Sequence, residues 1–79
     1  MFLEIITPEE KVFEGDVISV QLPGSEGSFQ ILNNHAPIVS TLKKGKLVLV
    51  DTNNESKEIE VSGGVVEVNS NHIIVLAEG

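Results

Sequence analysis

The 79-residue chain has no cysteine, tryptophan, tyrosine or arginine, and only three phenylalanines. Without cysteine there is no disulfide framework and no thiolate metal site. The small number of aromatic rings argues against stacking surfaces for bases or sugars. The missing arginine and a formal net charge of −7 argue against nucleic acid and anionic membrane surfaces, because both attract clustered cations.

Long hydrophobic runs are missing as well. No apolar run approaches the roughly 20 residues that a membrane helix needs. The first residues, Met1 to Glu4, have no basic stretch before an apolar core, so they do not resemble a signal peptide. We expect one small cytoplasmic domain over residues 1–79, with no segment inserted into a membrane.

Short apolar stretches alternate with turn-forming residues along the whole chain. In one stretch Ile18, Val20 and Leu22 are expected to share one face, opposite Val17, because alternation with period two is typical of a half-buried strand. About eight short strands, with turn signals at intervals of about eight to twelve residues, predict an all-β sandwich or barrel. Two of the expected interruptions are at 14–16 and 23–24.

Residues 24–37 form the stretch with the densest turn chemistry. Two glycines begin it, and asparagines with Pro37 end it, around a short apolar centre. A loop held at both ends usually presents a surface for a ligand or a partner. His35 lies within it, but the only other histidine is His72 and no thiol exists, so the pattern does not favour a metal site. We interpret His35 as a loop residue that bonds the backbone or contacts a partner.

Three of the five lysines, at 43, 44 and 46, surround Gly45. One interpretation is a carrier domain with biotin or lipoic acid on Lys44 or Lys46, although the tripeptides that mark such lysines are missing. Two others are a charged strand end that blocks edge pairing and a contact with an acidic partner. Ser62 beside two glycines matches no hydrolase motif, so an esterase is disfavoured.

Taken together, several motifs resemble one family, the epsilon subunit of the F-type ATP synthase (delta in mitochondria). The motifs are Thr-Pro-Glu at 7–9, Val-Phe-Glu-Gly at 12–15, Gly-Ser-Glu-Gly at 24–27, His-Ala-Pro at 35–37 and Ser-Gly-Gly at 62–64. Their order and spacing are specific, and the resemblance covers essentially the whole chain. It implies a single ten-stranded β-sandwich made of two antiparallel five-stranded sheets.

The same resemblance implies a function. Such a subunit does no chemistry and holds no cofactor or metal. It lies in the central stalk, between the gamma subunit and the c ring, and couples proton translocation to ATP synthesis on other subunits. The residues that match the c-ring contact are Glu26, Ser28 and Gln30. Those that match the gamma contact are Thr7, His35, Ile38, Ser40 and Leu42.

The chain departs from the family pattern at three places in the loop and at its end. Many bacterial members have Glu at position 28, Gly at 30 and Pro-Gly at 33–34. Members usually continue into two helices that brake ATP hydrolysis and, in some, bind ATP, whereas this sequence stops at Gly79. We therefore expect no ATP site and no helical brake. The resemblance implies a peripheral location on the cytoplasmic face of the bacterial plasma membrane, within F1.

Overall fold

The computed structural model describes residues 1–78. Within that range every regular element is a β-strand, as the alternation of short apolar stretches predicts. The strands are β1 (Phe2–Ile6), β2 (Lys11–Gly24), β3 (Gly27–Leu32), β4 (Ile38–Leu42), β5 (Gly45–Asp51), β6 (Ser56–Val61), β7 (Gly64–Asn69) and β8 (His72–Ala77). They form a compact β-sandwich, so the all-β prediction is confirmed.

The long strand β2 connects the parts of the sandwich. It pairs with β1, β3, β4 and β5 along its 14 residues. The break expected at 14–16 is wrong, because Gly15 pairs with Leu3 and the strand continues through the glycine. The break expected at 23–24 comes slightly later, since Pro23 and Gly24 still pair with β3.

The strand pairing differs from the arrangement that the resemblance implies. The order is β1-β8-β7-β4-β2-β5-β6, with β3 attached to β2, and β1 also pairs with β2. The backbone pairing therefore forms a closed circuit through β1, β8, β7, β4 and β2. The described residues contain eight strands rather than ten. The apolar pattern also predicts about eight, but it divides β2 into two strands and places a loop where β3 lies. The β1–β8 pair is parallel, so the sheet is mixed and the expectation of two purely antiparallel sheets is wrong.

The core consists of aliphatic side chains from all eight strands and holds no buried polar or charged side chain of residues 1–78. A bulge lies between Val17 and Ser19 in the pairing with β5. An extra residue on one strand shifts the alternation by one. Val17 is consequently buried and Ile18 is 46% exposed, the reverse of their predicted positions, while Val20 and Leu22 are buried as expected.

Candidate functional site

The turn between β2 and β3 is a rigid, exposed tip. Gly24 and Gly27 close a two-residue loop of Ser25 and Glu26. A Cβ on Gly24 would lie 2.6 Å from the Gly27 carbonyl oxygen, so only glycine fits there. The Ser25 amide donates to the Thr41 carbonyl at 3.0 Å, and the Thr41 hydroxyl donates to the Ser25 hydroxyl at 2.8 Å. These bonds anchor the tip to β4 and leave Glu26 exposed.

The other two residues predicted to contact the c ring follow on β3. Ser28 and Gln30 are exposed and lie on the same face of the strand, two residues apart. Gln21 on β2 donates its side-chain amide to the Ser28 hydroxyl at 3.1 Å, and Ser28 donates to the Leu22 carbonyl at 3.3 Å. The structure thus brings Glu26, Ser28 and Gln30 together on one hairpin.

The loop that contains His35 is fixed by an asparagine from the β7–β8 turn. Asn71 accepts the Asn34 amide proton at 2.9 Å and donates to the Asn33 side-chain oxygen at 2.9 Å. Asn34 has a φ of 66°, a left-handed conformation that asparagine tolerates. His35 is half-buried, and its Nδ1 donates to the Ala36 carbonyl at 2.7 Å. The backbone-bonding interpretation of His35 is therefore confirmed.

The strand β4 presents to solvent a face that the sequence argument did not single out. Leu42 is only 5% exposed and belongs to the core, and Ile38 and Ser40 lie on the same side and are half-buried. The outward side chains are those of Val39, which is 71% exposed, and Thr41. The alternation of side chains along β4 could have identified this face, because a buried Leu42 places every odd-numbered residue of the strand outside.

A surface with several exposed apolar side chains continues from β4 across three more strands, although Val39 itself lies opposite the exposed Glu67. Thr41 pairs with Val65, Val65 with Leu76, and Leu76 with Ile6, and directly paired residues share a face. Val65 is 37% exposed and Leu76 is 54% exposed. We call Ile6, Val39, Val65 and Leu76 the outer patch. Thr7, predicted to contact gamma, directly follows Ile6, and both lie in a shallow groove beside Leu76.

A cluster of ion pairs borders the outer patch on β1. Glu4, on the same face as Ile6, accepts from Lys11 at 3.2 Å and from His72 Nε2 at 2.8 Å. Lys11 also contacts Glu14 at 3.2 Å. The hydrogen bond from His72, followed by that from Lys11, holds the pKa of Glu4 below its usual value. The bonds to Glu14 and Glu4 raise the pKa of Lys11.

The three clustered lysines do not form an isolated tip. Lys46 lies within β5 and its Nζ is 3.5 Å from Glu58 on β6. Lys43 donates its backbone amide to Pro23 at 2.9 Å, which ties the β4–β5 connection to β2. Among the side chains of residues 1–78, no three histidines or carboxylates are grouped as a metal site would need. No helix in this range could span a membrane.

The described residues form a small β-sandwich that exposes an anchored hairpin and an apolar patch. Residues 1–79 match the family described as the ATP synthase delta/epsilon chain, beta-sandwich domain. The chain belongs to this family, which confirms the resemblance. The carrier-domain alternative on Lys44 or Lys46 finds no support in these matches.

Individual relatives agree with the family match. The ATP synthase epsilon chain of Campylobacter curvus is 40% identical over 79 residues, which are all of this chain and 61% of the relative. That of Chlorobium limicola is 41% identical over 76 residues, covering 96% of this chain and 86% of the relative. The chain thus spans about three fifths of the length of the Campylobacter relative.

Two solved structures have the same fold at low sequence identity. A chain of the Euglena gracilis mitochondrial ATP synthase, in a complex described as OSCP/F1/c-ring, superposes with a TM-score of 0.89 at 21% identity. The match covers 95% of this chain and 48% of that one. A chain of the Tetrahymena thermophila central stalk and c ring gives 0.81 at 22% identity, covering 100% and 63%. At such identities the likeness establishes the β-sandwich fold.

Proposed function

We propose that this chain is a non-catalytic rotor subunit of an F-type ATP synthase. In this role it joins the gamma subunit to the c ring and couples proton translocation to ATP synthesis on other subunits. It would act as part of F1, peripheral to the cytoplasmic face of a bacterial plasma membrane. Relatives named ATP synthase epsilon chain support the proposal, as do fold neighbours within stalk and c-ring assemblies.

The observation that carries the proposal is the outer patch. Val39, Val65 and Leu76 are branched aliphatic side chains that remain 37–71% exposed although the domain has a complete core. Fully burying such a side chain contributes roughly 1.5–3 kcal/mol. A partner that covers all three would gain several kcal/mol from the hydrophobic effect. We assign this surface to gamma, together with Thr7 at its border and His35.

Within the same proposal, the inward residues of β4 have a supporting role. Ile38 and Ser40 are half-buried and Leu42 is in the core, so they fix the strand that carries Val39 and leave little side-chain surface for gamma. The tip residue Glu26, with Ser28 and Gln30, forms a separate polar surface that we assign to the c ring. Its anchoring to Thr41 keeps the tip rigid, so that torque is not absorbed by a flexible loop.

The gamma assignment is tested by introducing a carboxylate into the outer patch. Val39→Asp removes a branched aliphatic side chain and puts in its place a carboxylate, which would lose its water when gamma covers the patch. We therefore expect binding to purified gamma to weaken about 10- to 100-fold. Ile18→Asp is the matched control, because Ile18 is 46% exposed but lies outside the patch. Affinity is measured by isothermal titration calorimetry after circular dichroism has established that both variants fold. Equal binding by both variants would refute the assignment.

The c-ring assignment has its own variants. Glu26→Arg reverses the charge at the tip, and Ser28→Trp adds bulk on the face that it shares with Gln30. Both are expected to weaken assembly with the c ring while leaving the isolated domain folded, because both side chains are exposed. Assembly is measured by co-sedimentation with ring-containing membranes that lack this subunit. Unchanged sedimentation of both variants would remove the c ring from the proposal.

A further inference from the structure

The strand β3 has a free edge. It pairs with β2 from Ser19–Leu32 to Gly24–Gly27, and residues 1–78 provide no strand on its other side. Its successor β4 pairs with β7 and, at one residue, with β2. An unpaired edge presents backbone donors and acceptors to another chain.

The register identifies which backbone groups face outward. In an antiparallel pair, two opposed residues either bond each other or both point away. Pro23 accepts a hydrogen bond from the Lys43 amide, so its carbonyl points toward β4 and away from its partner Ser28. Ser28 therefore points away from Pro23 as well. By alternation, the N–H and C=O groups of Ser28, Gln30 and Leu32 all point out from the free edge.

The composition of β3 leaves this edge unprotected. The free edge on β6, by contrast, carries Lys57, Glu58 and Glu60, and charges on an edge strand oppose pairing with another chain. The sequence of β3, Gly-Ser-Phe-Gln-Ile-Leu, has no charge and no proline. Leu32 adds an aliphatic side chain that is 53% exposed on the outer face.

We propose that β3 accepts an extended segment of a rotor partner as an added strand, bonded to the backbone of Ser28, Gln30 and Leu32. This inference rests on the proposed function and deepens it. The segment should be free of carboxylates and carry a lysine or arginine where it passes Glu26, because the domain has a net charge of −7. That charge also opposes a second copy of this chain, since two copies would bring −14 together.

Two substitutions at one position separate backbone pairing from side-chain contact. Gln30→Pro removes the outward N–H but no bond to β2, and proline is tolerated on edge strands. Gln30→Ala removes the side chain and keeps the N–H. With the synthase complex stripped of its own copy of this subunit as the probe, we expect Gln30→Pro to bind at least about tenfold more weakly than Gln30→Ala. Circular dichroism checks that both variants fold.

Amide hydrogen exchange gives a residue-by-residue readout. In the free domain Phe29 and Ile31 should exchange slowly, because they bond β2, while Ser28, Gln30 and Leu32 exchange rapidly. On assembly with the stripped complex, these last three should become slow as well. Exchange is quenched after assembly and read by nuclear magnetic resonance on the recovered domain.

The possible outcomes distinguish the inference from the function on which it rests. Assembly without new protection at 28, 30 and 32, or equal loss of binding by both Gln30 variants, overturns strand addition and leaves the rotor function standing. Protection that appears in the free domain at raised concentration identifies a second copy and also overturns it. Failure of the wild-type domain to assemble at all overturns both proposals.

Discussion

Gly64, at the start of β7, is the position where a single methyl group should do most damage. Its φ is +142°, and it pairs with Leu42 on one side and Ala77 on the other. A Cβ there would lie 2.2 Å from the Leu76 carbonyl oxygen and 3.0 Å from the Ala77 Cα. Ordinary contact begins near 3.4 Å. Gly64→Ala therefore has to move β8 away from β7 or break their pairing.

Gly27→Ala provides the matched control. Gly27 has a nearly identical φ of +136°, but a Cβ there meets nothing within 4 Å. Both substitutions carry the backbone strain of a positive φ, about 1–3 kcal/mol. Only Gly64→Ala adds the collision, which should cost one or two hydrogen bonds of the β7–β8 ladder at about 1 kcal/mol each. We expect Gly64→Ala to lower the free energy of unfolding by about 1–2 kcal/mol more than Gly27→Ala.

Urea unfolding measures the difference. The chain has no tryptophan or tyrosine, so far-ultraviolet circular dichroism is the appropriate signal. With a slope of about 1 kcal/mol per molar urea for a domain of this size, the Gly64→Ala midpoint should lie about 1–2 M below that of Gly27→Ala. Coincident midpoints would refute the steric argument and leave backbone strain as the whole effect.

Three further substitutions test the core, the ion pairs and a turn. Leu49→Ala, in a fully buried position, should cost about 2–5 kcal/mol in urea unfolding, whereas Leu32→Ala, at 53% exposure, should change little. Glu4→Gln should destabilise the domain at neutral pH. Folding lowers the pKa of Glu4, so the stability that its carboxylate contributes is lost as the pH falls through the lowered pKa. The urea midpoints of wild type and variant should therefore converge in acid. Asp51→Ala should cost about 0.5–2 kcal/mol in the same assay, because Asp51 Oδ1 accepts two backbone amides of the β5–β6 turn, at 2.9 and 3.0 Å.

Sequence reasoning succeeded where local chemistry decides the conformation. Alternation and turn residues predicted an all-β domain. Glycine-rich Ser-Gly-Gly at 62–64 separates β6 from β7, with positive φ values at Gly63 and Gly64. Sequence reasoning failed where the conformation depends on pairing between strands that are distant in the sequence. The bulge that buries Val17 and exposes Ile18 depends on the register with β5, which period two alone does not contain. The parallel pairing of β1 with β8 joins distant segments and has no local signature.

The candidate surfaces were predictable to different extents. Turn chemistry predicted a loop over 24–37 that includes Glu26. The structure confines the turn to Ser25 and Glu26 and places the strand β3 at Gly27–Leu32, which the sequence argument did not predict. The contribution of Val39 was missed, since two adjacent apolar residues begin β4 and the alternation does not show which of them faces the core. The free edge of β3 could not be foreseen, because it depends on which strands are its neighbours in space.

The pairing of the first strand with the last has a consequence for biosynthesis. Leu3 and Ile5 of β1 are fully buried, and β8 pairs with one edge of β1 through residues 72–76. During translation β1 is made first and must wait for almost the entire domain before β8 can cover its second edge. The domain should therefore complete folding late in its own synthesis, after a long interval in which an apolar strand is open to chaperones and aggregation.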